Sequence, residues 1–399
     1  MSEAVCLKDF KTEQDATITN YQCLVLGYGD RRKLHYEISS TTGHPHPSIT
    51  ANWAILGMLL PAMRTGKTLR CDHGVSALLL HFLRTDLQEL LINFDPSLSR
   101  IDIDADALPP DLTVSKDIRI GTGFSAGIDS FNSLGVFCHS DTTSQLNVTD
   151  LFIFDVGAFG QHSSKSSRNS FTAAAGRTRS YADRLGLHAH SVTSNLADFY
   201  VGASELDFIR THTLRNASAA VLFEREIDIY LYASAFSYRE VDLKAKYALG
   251  HIDSILLSLI TTTQLRFISS GAGSDRIKKT ALLSNDKDAQ HMLDVCVTPT
   301  PRRSTLVGVG RNCSRCWKCY RTMVTLDALG RLEEFRAVFD VDRYFQHREA
   351  IFSQVHHRGA KGSSIDQAAA NLLLERGLAP SPPYTRRRSA GRSLPCAST

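Results

Sequence analysis

From residue 117 onward the chain alternates between short apolar runs and amphipathic stretches, and this rhythm limits the fold more than any other feature. "DIRIGTGF" (117–124) reads as a strand and "DSFNSLGVFCHS" (129–140) as a helix. "VTDLFIFDVGAF" (148–159) is a strongly apolar strand, followed by a helical stretch from about Ser170 to Leu185. "LHAHSVTS" (187–194) is a strand, "LRNASAAVLFERE" (214–226) a helix, and "IDIYLYASA" (227–235) and "QLRFISSGA" (264–272) are two further strands. Parallel strands need a long crossover, usually a helix, so the alternation predicts an α/β fold with a doubly wound parallel sheet. Such sheets bind ligands outside the carboxyl ends of their strands.

The remaining sequence divides around this core. Residues 1–112 predict a small N-terminal α+β domain, with strands in "YQCLVLGYG" and "KLHYEISS" and helices in "SITANWAILGMLLPAMRTGK" and "VSALLLHFLRTDLQELL". The proline-rich "DALPPDLTVS" (106–115) is expected to be a linker. The core domain then spans 113–330, a charged helical extension 331–379, and a disordered basic tail 380–399. The first fifteen residues are too polar for a signal peptide, and no apolar run approaches the roughly 18 residues of a membrane helix. A cytoplasmic location without a membrane partner is expected. The net charge is +4, and the last twenty residues hold four arginines and no acid. A near-neutral body argues against a nucleic-acid surface.

"GFSAGIDSF" (123–131) closes the first core strand. A Gly- and Ser-rich turn entering a helix presents unpaired backbone N–H groups and the positive end of the helix dipole, which favour an anion. Ser125 and Ser130 add hydroxyl donors, and Asp129 suits either a helix cap or Mg²⁺ bridging phosphates. The Gly-Lys-Ser/Thr ending of a Walker loop is absent. An ordinary strand-to-helix turn has the same composition. Gly123 to Gly127 also matches G-x-S-x-G, so a serine hydrolase with Ser125 as nucleophile and Asp155 and His212 as partners is a second reading. A non-catalytic nucleotide-binding module is a third.

Nine cysteines occur, three of them as C-x-x-C-x-x-C at Cys313, Cys316 and Cys319. With Cys296 as the nearest upstream thiol, four sulfurs would close a structural tetrahedral zinc site. An iron–sulfur cluster is the rival ligand for such a run.

The longer string "FSAGIDSF" resembles the Ser-Gly-Gly-x-Asp-Ser loop of the N-type ATP pyrophosphatases (PP-loop enzymes), with Ala126 in place of the first glycine. The order of this loop, a late cysteine and C-x-x-C-x-x-C is similar to the 7-cyano-7-deazaguanine synthase family. "TLRNASAAVLF" resembles that family's Arg-Asn helix start through Arg215 and Asn216. "DRIKKTALLSNDKDAQHMLDVC" resembles its Thr-Lys-Ala-Glu helix, with Lys278 or Lys279 standing for the lysine. The resemblance spans roughly residues 117–330. The family's Tyr-Pro-Asp-Cys-Arg segment has no clear counterpart, and the spacing from Cys296 to Cys313 is longer than usual.

The resemblance implies ATP, Mg²⁺ and Zn²⁺ as cofactors, and adenylation of a small carboxylate or amide, of 7-deazaguanine type, with release of pyrophosphate. An amine, ammonia or a protein acceptor would then displace AMP, giving an amide or, after a second ATP, a nitrile. It implies that Phe124, Ser125, Ala126, Gly127, Ile128, Asp129 and Ser130 hold pyrophosphate, and that Asp155 and Gly157 line the adenosine pocket. Arg215, Arg276 and Lys278 or Lys279 are the candidates for facing the growing charge, although each also suits a solvated helix position. His212 is either a general base or a polar helix-start residue. Divergent relatives of this family in antiphage operons and biosynthetic clusters make a protein acceptor compatible with the chain, and the N-terminal domain would either recognise that partner or form a homo-oligomer interface.

Overall fold

Every residue of Asp150–Asp155 is buried, as a strand covered on both faces requires. The structure, a computed structural model, describes residues 4–15, 17–29, 32–109, 118–138, 147–160, 164–202, 205–244, 248–297 and 311–378. Most of the expected linker near residue 110 and the tail 380–399 lie outside them. The strands are β1 (Ala4–Gln14), β2 (Ile18–Leu26), β3 (Arg32–Ser40), β4 (Thr68–Cys71), β5 (Val75–Ser76), β6 (Ile103–Asp104), β7 (Ala107–Leu108), β8 (Ile120–Gly123), β9 (Asp150–Asp155), β10 (His188–Ser194), β11 (Ile229–Ala233) and β12 (Arg266–Ser270).

Ten of them form one mixed, mostly parallel sheet in the order β12-β11-β8-β9-β10-β3-β2-β1-β4-β6. The five strands at one end, β12 through β10, are mutually parallel. Numbered along the chain, these five run 3-2-1-4-5, with the direction of winding reversing between β8 and β11. Alternate side chains go to opposite faces. Phe152 and Tyr230 join one core with the helix His212–Ala220, while Leu151 and Leu231 join a second with the helices Ile128–Cys138 and Trp317–Ala328. The α/β expectation is therefore met.

Apart from the short parallel pair β5 and β7, which forms a two-stranded sheet of its own, the N-terminal strands belong to the same sheet as the core. β3 pairs antiparallel with β10, from Ser40 opposite His190 to Tyr36 opposite Ser194, so the sheet continues from one half of the chain into the other. β2 alternates buried and half-buried positions, as a strand with one covered face must. Its Tyr21, with Tyr36 and Phe10, packs edge-on against Trp53 of the helix Asn52–Thr65. That helix lies on His212–Ala220, and Tyr36 Oη meets Ser218 Oγ at 2.8 Å. β1 was not expected from the polar opening of the chain. Outside its first few residues its side chains are largely exposed, so no apolar alternation marks it.

At the other end, the helix Ser364–Glu375 docks on Trp317–Ala328 through a buried ionic clasp. Asp366, fully buried, accepts from Arg321 Nε at 3.0 Å, from Arg321 Nη2 at 3.1 Å and from Arg358 Nε at 2.8 Å. Both guanidinium groups lie against the Trp317 ring, at 4.4 and 5.0 Å from its centre. Burial pulls the Arg321 guanidinium down to about 10, against the opposing pull of Asp366. Removing the carboxylate leaves two cations facing each other. Asp366→Ala is therefore expected to cost about 3–5 kcal/mol in urea unfolding. A loss below about 1 kcal/mol, the range of an exposed pair, would show that the clasp is solvated.

Candidate anion site and metal centre

A winding reversal such as that between β8 and β11 leaves a crevice at the carboxyl ends of the strands, and among the described residues four helices begin near this point. Asp129 is the second residue of Ile128–Cys138, His212 the first of His212–Ala220, Arg276 the first of Arg276–Leu283, and Lys318 the second of Trp317–Ala328. These first turns face one another. Arg276 Nη2 lies 2.9 Å from Asp129 Oδ2, and Lys318 is within electrostatic reach of Arg276, Asp129 and His212. Each helix start carries roughly half a positive charge, so their dipoles add at this crevice.

The turn that enters the crevice is anchored at Phe124, Ala126 and Gly127. Phe124 N donates to Phe152 O at 2.7 Å, and Thr178 Oγ1 donates to Phe124 O at 3.2 Å. Ala126 O accepts from Asp294 N at 2.8 Å, and Ser130 Oγ donates to Gly127 O at 2.9 Å. Phe124 and Ile128 are buried in the core, whereas Ser125 is exposed toward solvent. Ala126 has φ of +57°, the left-handed region. A side chain there costs about 1–2 kcal/mol, which gives the Ser-Gly-Gly pattern a physical reason for glycine at this position.

Asp129 joins the turn to the last parallel strands. Its Oδ2 meets Arg276, and its Oδ1 meets Lys279 Nζ at 3.3 Å. Lys279 is almost completely buried, and its ammonium donates to Ser234 O, at the end of β11, at 2.5 Å. Burial lowers the Lys279 amine while Asp129 raises it, and the net direction is down. Gly271, at the end of β12 with φ +82°, passes over this lysine; a Cβ there would lie 2.7 Å from Asn132 Oδ1 and 3.4 Å from Lys279 Cε. Lys278, the other candidate, is exposed and borders a separate pocket with Ser237, Tyr238 and Asp275. Of the two lysines, the structure brings Lys279 to the loop.

Arg215 is brought elsewhere. Its guanidinium is buried, lies 3.8 Å from the centre of the Tyr200 ring, and donates to Val156 O at 3.3 Å and Leu206 O at 3.1 Å. It supports the turn after β9, where Gly157 has φ +118° and a Cβ would come within 2.4 Å of Arg215 Nη1. Asp155 is buried at the end of the same strand. His212 Nδ1 pairs with Tyr232 Oη at 2.8 Å, and Asn216 Nδ2 donates to the same hydroxyl at 3.1 Å. Burial, then Lys318 and Arg215, hold the imidazole down to about 4, so it stays neutral at physiological pH. Among the described residues no hydrogen bond joins Ser125 to His212, and a Ser-His-Asp relay is not assembled.

The four cysteines do converge. The sulfurs of Cys296, Cys313, Cys316 and Cys319 all lie within 4.8 Å of one another, with separations of 3.9 Å (296–316), 3.8 Å (313–319) and 3.4 Å (316–319). Four thiolates at about 2.3 Å from one tetrahedral ion stand about 3.8 Å apart, so the set fits a single metal ion and is consistent with zinc. A cluster that binds each cysteine through a different iron would hold the sulfurs farther apart. Cys316 caps the helix Trp317–Ala328, and its own N–H lies 3.2 Å from Cys313 Sγ. Its thiol is pulled down to about 3, chiefly by Cys296 and then by Cys319. Asn312 clamps the two ligand segments by accepting from Val295 N at 2.9 Å and donating to Leu293 O at 2.8 Å. Asp294, two residues before Cys296, is the donor to Ala126, so the metal centre and the loop share one short segment.

Three participants escaped the sequence reading. The Ser234 carbonyl has no sequence signal, Tyr232 looks like any strand aromatic, and Lys318 is hidden inside the cysteine motif. Compared with protein-family models, curated proteins and solved structures, the chain matches none.

Two outcomes follow. Ala126→Gly relieves the left-handed strain but frees the unfolded chain, so a net gain of about 0.5–1 kcal/mol is expected in denaturant unfolding, and Ala126→Val should lose stability. Equal stability of all three forms would remove the strain from Ala126. Elemental analysis of the purified chain should find one tightly held ion, zinc, with Cys296→Ser or Cys319→Ser losing it and melting several degrees lower. Visible iron absorbance would reject the assignment.

Proposed function

We propose that the chain is an ATP-dependent adenylating enzyme of the N-type ATP pyrophosphatase kind, acting on a small carboxylate. The observation that carries the reading is the meeting of four helix starts with Arg276, Lys279 and Lys318 around a Gly- and Ser-rich turn at the winding reversal. Fixed cations and dipoles at a strand's carboxyl end suit a polyphosphate. A substrate carboxylate oxygen attacks the α-phosphorus, the bond to the bridging oxygen breaks, and pyrophosphate leaves with the charge that Arg276 and Lys279 face. An amine nitrogen then adds to the acyl carbon of the adenylate, and AMP leaves.

Both oxygens of Asp129 are engaged by cations, so Mg²⁺ would arrive on the nucleotide's own phosphates. The ion would supply charge neutralisation there. The four-cysteine site has no open position for substrate, and its zinc would be structural, holding the Asp294 segment against the loop. A 7-deazaguanine carboxylate as substrate, and an amine, ammonia or protein acceptor, rest on the sequence resemblance. So does a role in antiphage defence or a biosynthetic cluster.

The test is product analysis with ATP, Mg²⁺ and 7-deazaguanine-type carboxylates, which should yield pyrophosphate and AMP. ADP and phosphate instead would overturn the reading. Lys279→Met is expected to lower pyrophosphate release by about a hundredfold or more while the fold, followed by circular dichroism, is kept. Lys278→Met should stay within about twofold, as an exposed residue outside the crevice.

A further inference from the structure

We infer that Lys318, carried between two cysteines of the metal centre, is a third cation of the anion site and contacts the bound polyphosphate. The inference rests on the nucleotide reading and deepens it by naming a residue that the phosphate loop does not contain. Arg276 and Lys279 are each paired with Asp129, which occupies both carboxylate oxygens. Lys318 faces the same carboxylate at longer range, yet among the described residues it has no carboxylate within ion-pair distance. The residue is exposed as a whole, although burial by its neighbours lowers its amine, and its ammonium lies 5.5 Å from the centre of the Trp317 ring. Arg321 and Arg358 crowd the same ring, and Asp366 neutralises both of them. Among the described residues the charged groups acting on Lys318 are Arg276, Asp129, Arg321 and the Cys316 sulfur; His212 beside it is neutral, and Glu240 acts on Lys279. Among the described residues around Asp129, Lys318 is thus the cation without a carboxylate in ion-pair contact.

Its placement depends on the metal ligands. Cys316 and Cys319 bracket Lys318 and belong to one four-sulfur cluster, so one bound ion would fix both ends of the turn that carries it. The helix Trp317–Ala328 packs on Arg276–Leu283, which brings Lys318 beside Arg276 across the crevice. The zinc site would then present a charge as well as hold the fold.

The experiment uses the full, metal-loaded chain and calorimetric titration with inorganic pyrophosphate, repeated with ATP. Lys318→Met is expected to weaken both about tenfold or more, as the loss of one charge-assisted contact does, with metal content and melting temperature unchanged. Lys318→Arg should bind within about threefold of the parent, because the charge remains. Lys361→Met, an exposed charge loss just past the helix Arg348–Ala360, should bind like the parent. Parent-like binding by Lys318→Met overturns the inference, as does an equal loss in Lys361→Met or loss of the metal from Lys318→Met. If the parent chain binds neither pyrophosphate nor ATP, the nucleotide reading itself fails and this inference fails with it.

Discussion

A parallel sheet points every crossover helix the same way, so the positive ends of the helix dipoles gather at the carboxyl edge of its strands. In this chain the winding reverses between β8 and β11, and at that point no crossover covers the edge. The helix starts at Asp129, His212, Arg276 and Lys318 surround the resulting crevice. Arg276 and Lys279 held against Asp129, with Lys318 at longer range and four dipole ends beside them, make it a place where an anion gains and a cation loses. The buried Lys279 ammonium is tolerable there only because Asp129 and the Ser234 carbonyl replace part of its lost hydration.

The four-cysteine cluster and the C-terminal helices serve the same edge. A turn with alanine in the left-handed region is not held by its own backbone preference. It is held by neighbours, and the bond from Asp294 N to Ala126 O comes from the segment that also supplies Cys296. On the other side of the cysteines, Trp317 and Arg321 are locked by Asp366. A chain of contacts therefore runs from the last helix through the four sulfurs to the loop. The N-terminal residues contribute differently: β3 continues the sheet beyond β10, and Tyr36 reaches the helix that begins at His212.

The core strands were legible because each is a short apolar run between turn residues. β9, buried at all six positions, is the clearest case. The helix expected over 75–91 divides at Thr85 into Ala77–Arg84 and Asp86–Phe94, a break without a Gly or Pro to announce it. β1 was illegible because an extended, largely exposed strand needs no apolar alternation. The turn between the first core strand and its helix and the convergence of the four cysteines were legible, since turn geometry and metal ligation impose fixed spacings along the chain. The choice between Lys278 and Lys279 was not. Both lie in the first turn of one helix, and only the packing of that helix decides which side chain points inward.

The sequence alone determined that this chain alternates strand and helix, that a Gly- and Ser-rich turn opens the helix after the first core strand, and that four cysteines stand at ligand spacing. Those features are local, and local sterics and ligand geometry suffice to imply them. Only the tertiary structure decided that Lys279 meets Asp129, that Arg215 supports the turn after β9, and that Lys318 shares the crevice with His212. It also joined the N-terminal strands to the core sheet. These outcomes depend on which helix faces pack together and on how charges are compensated when water is removed. No spacing along the chain encodes either.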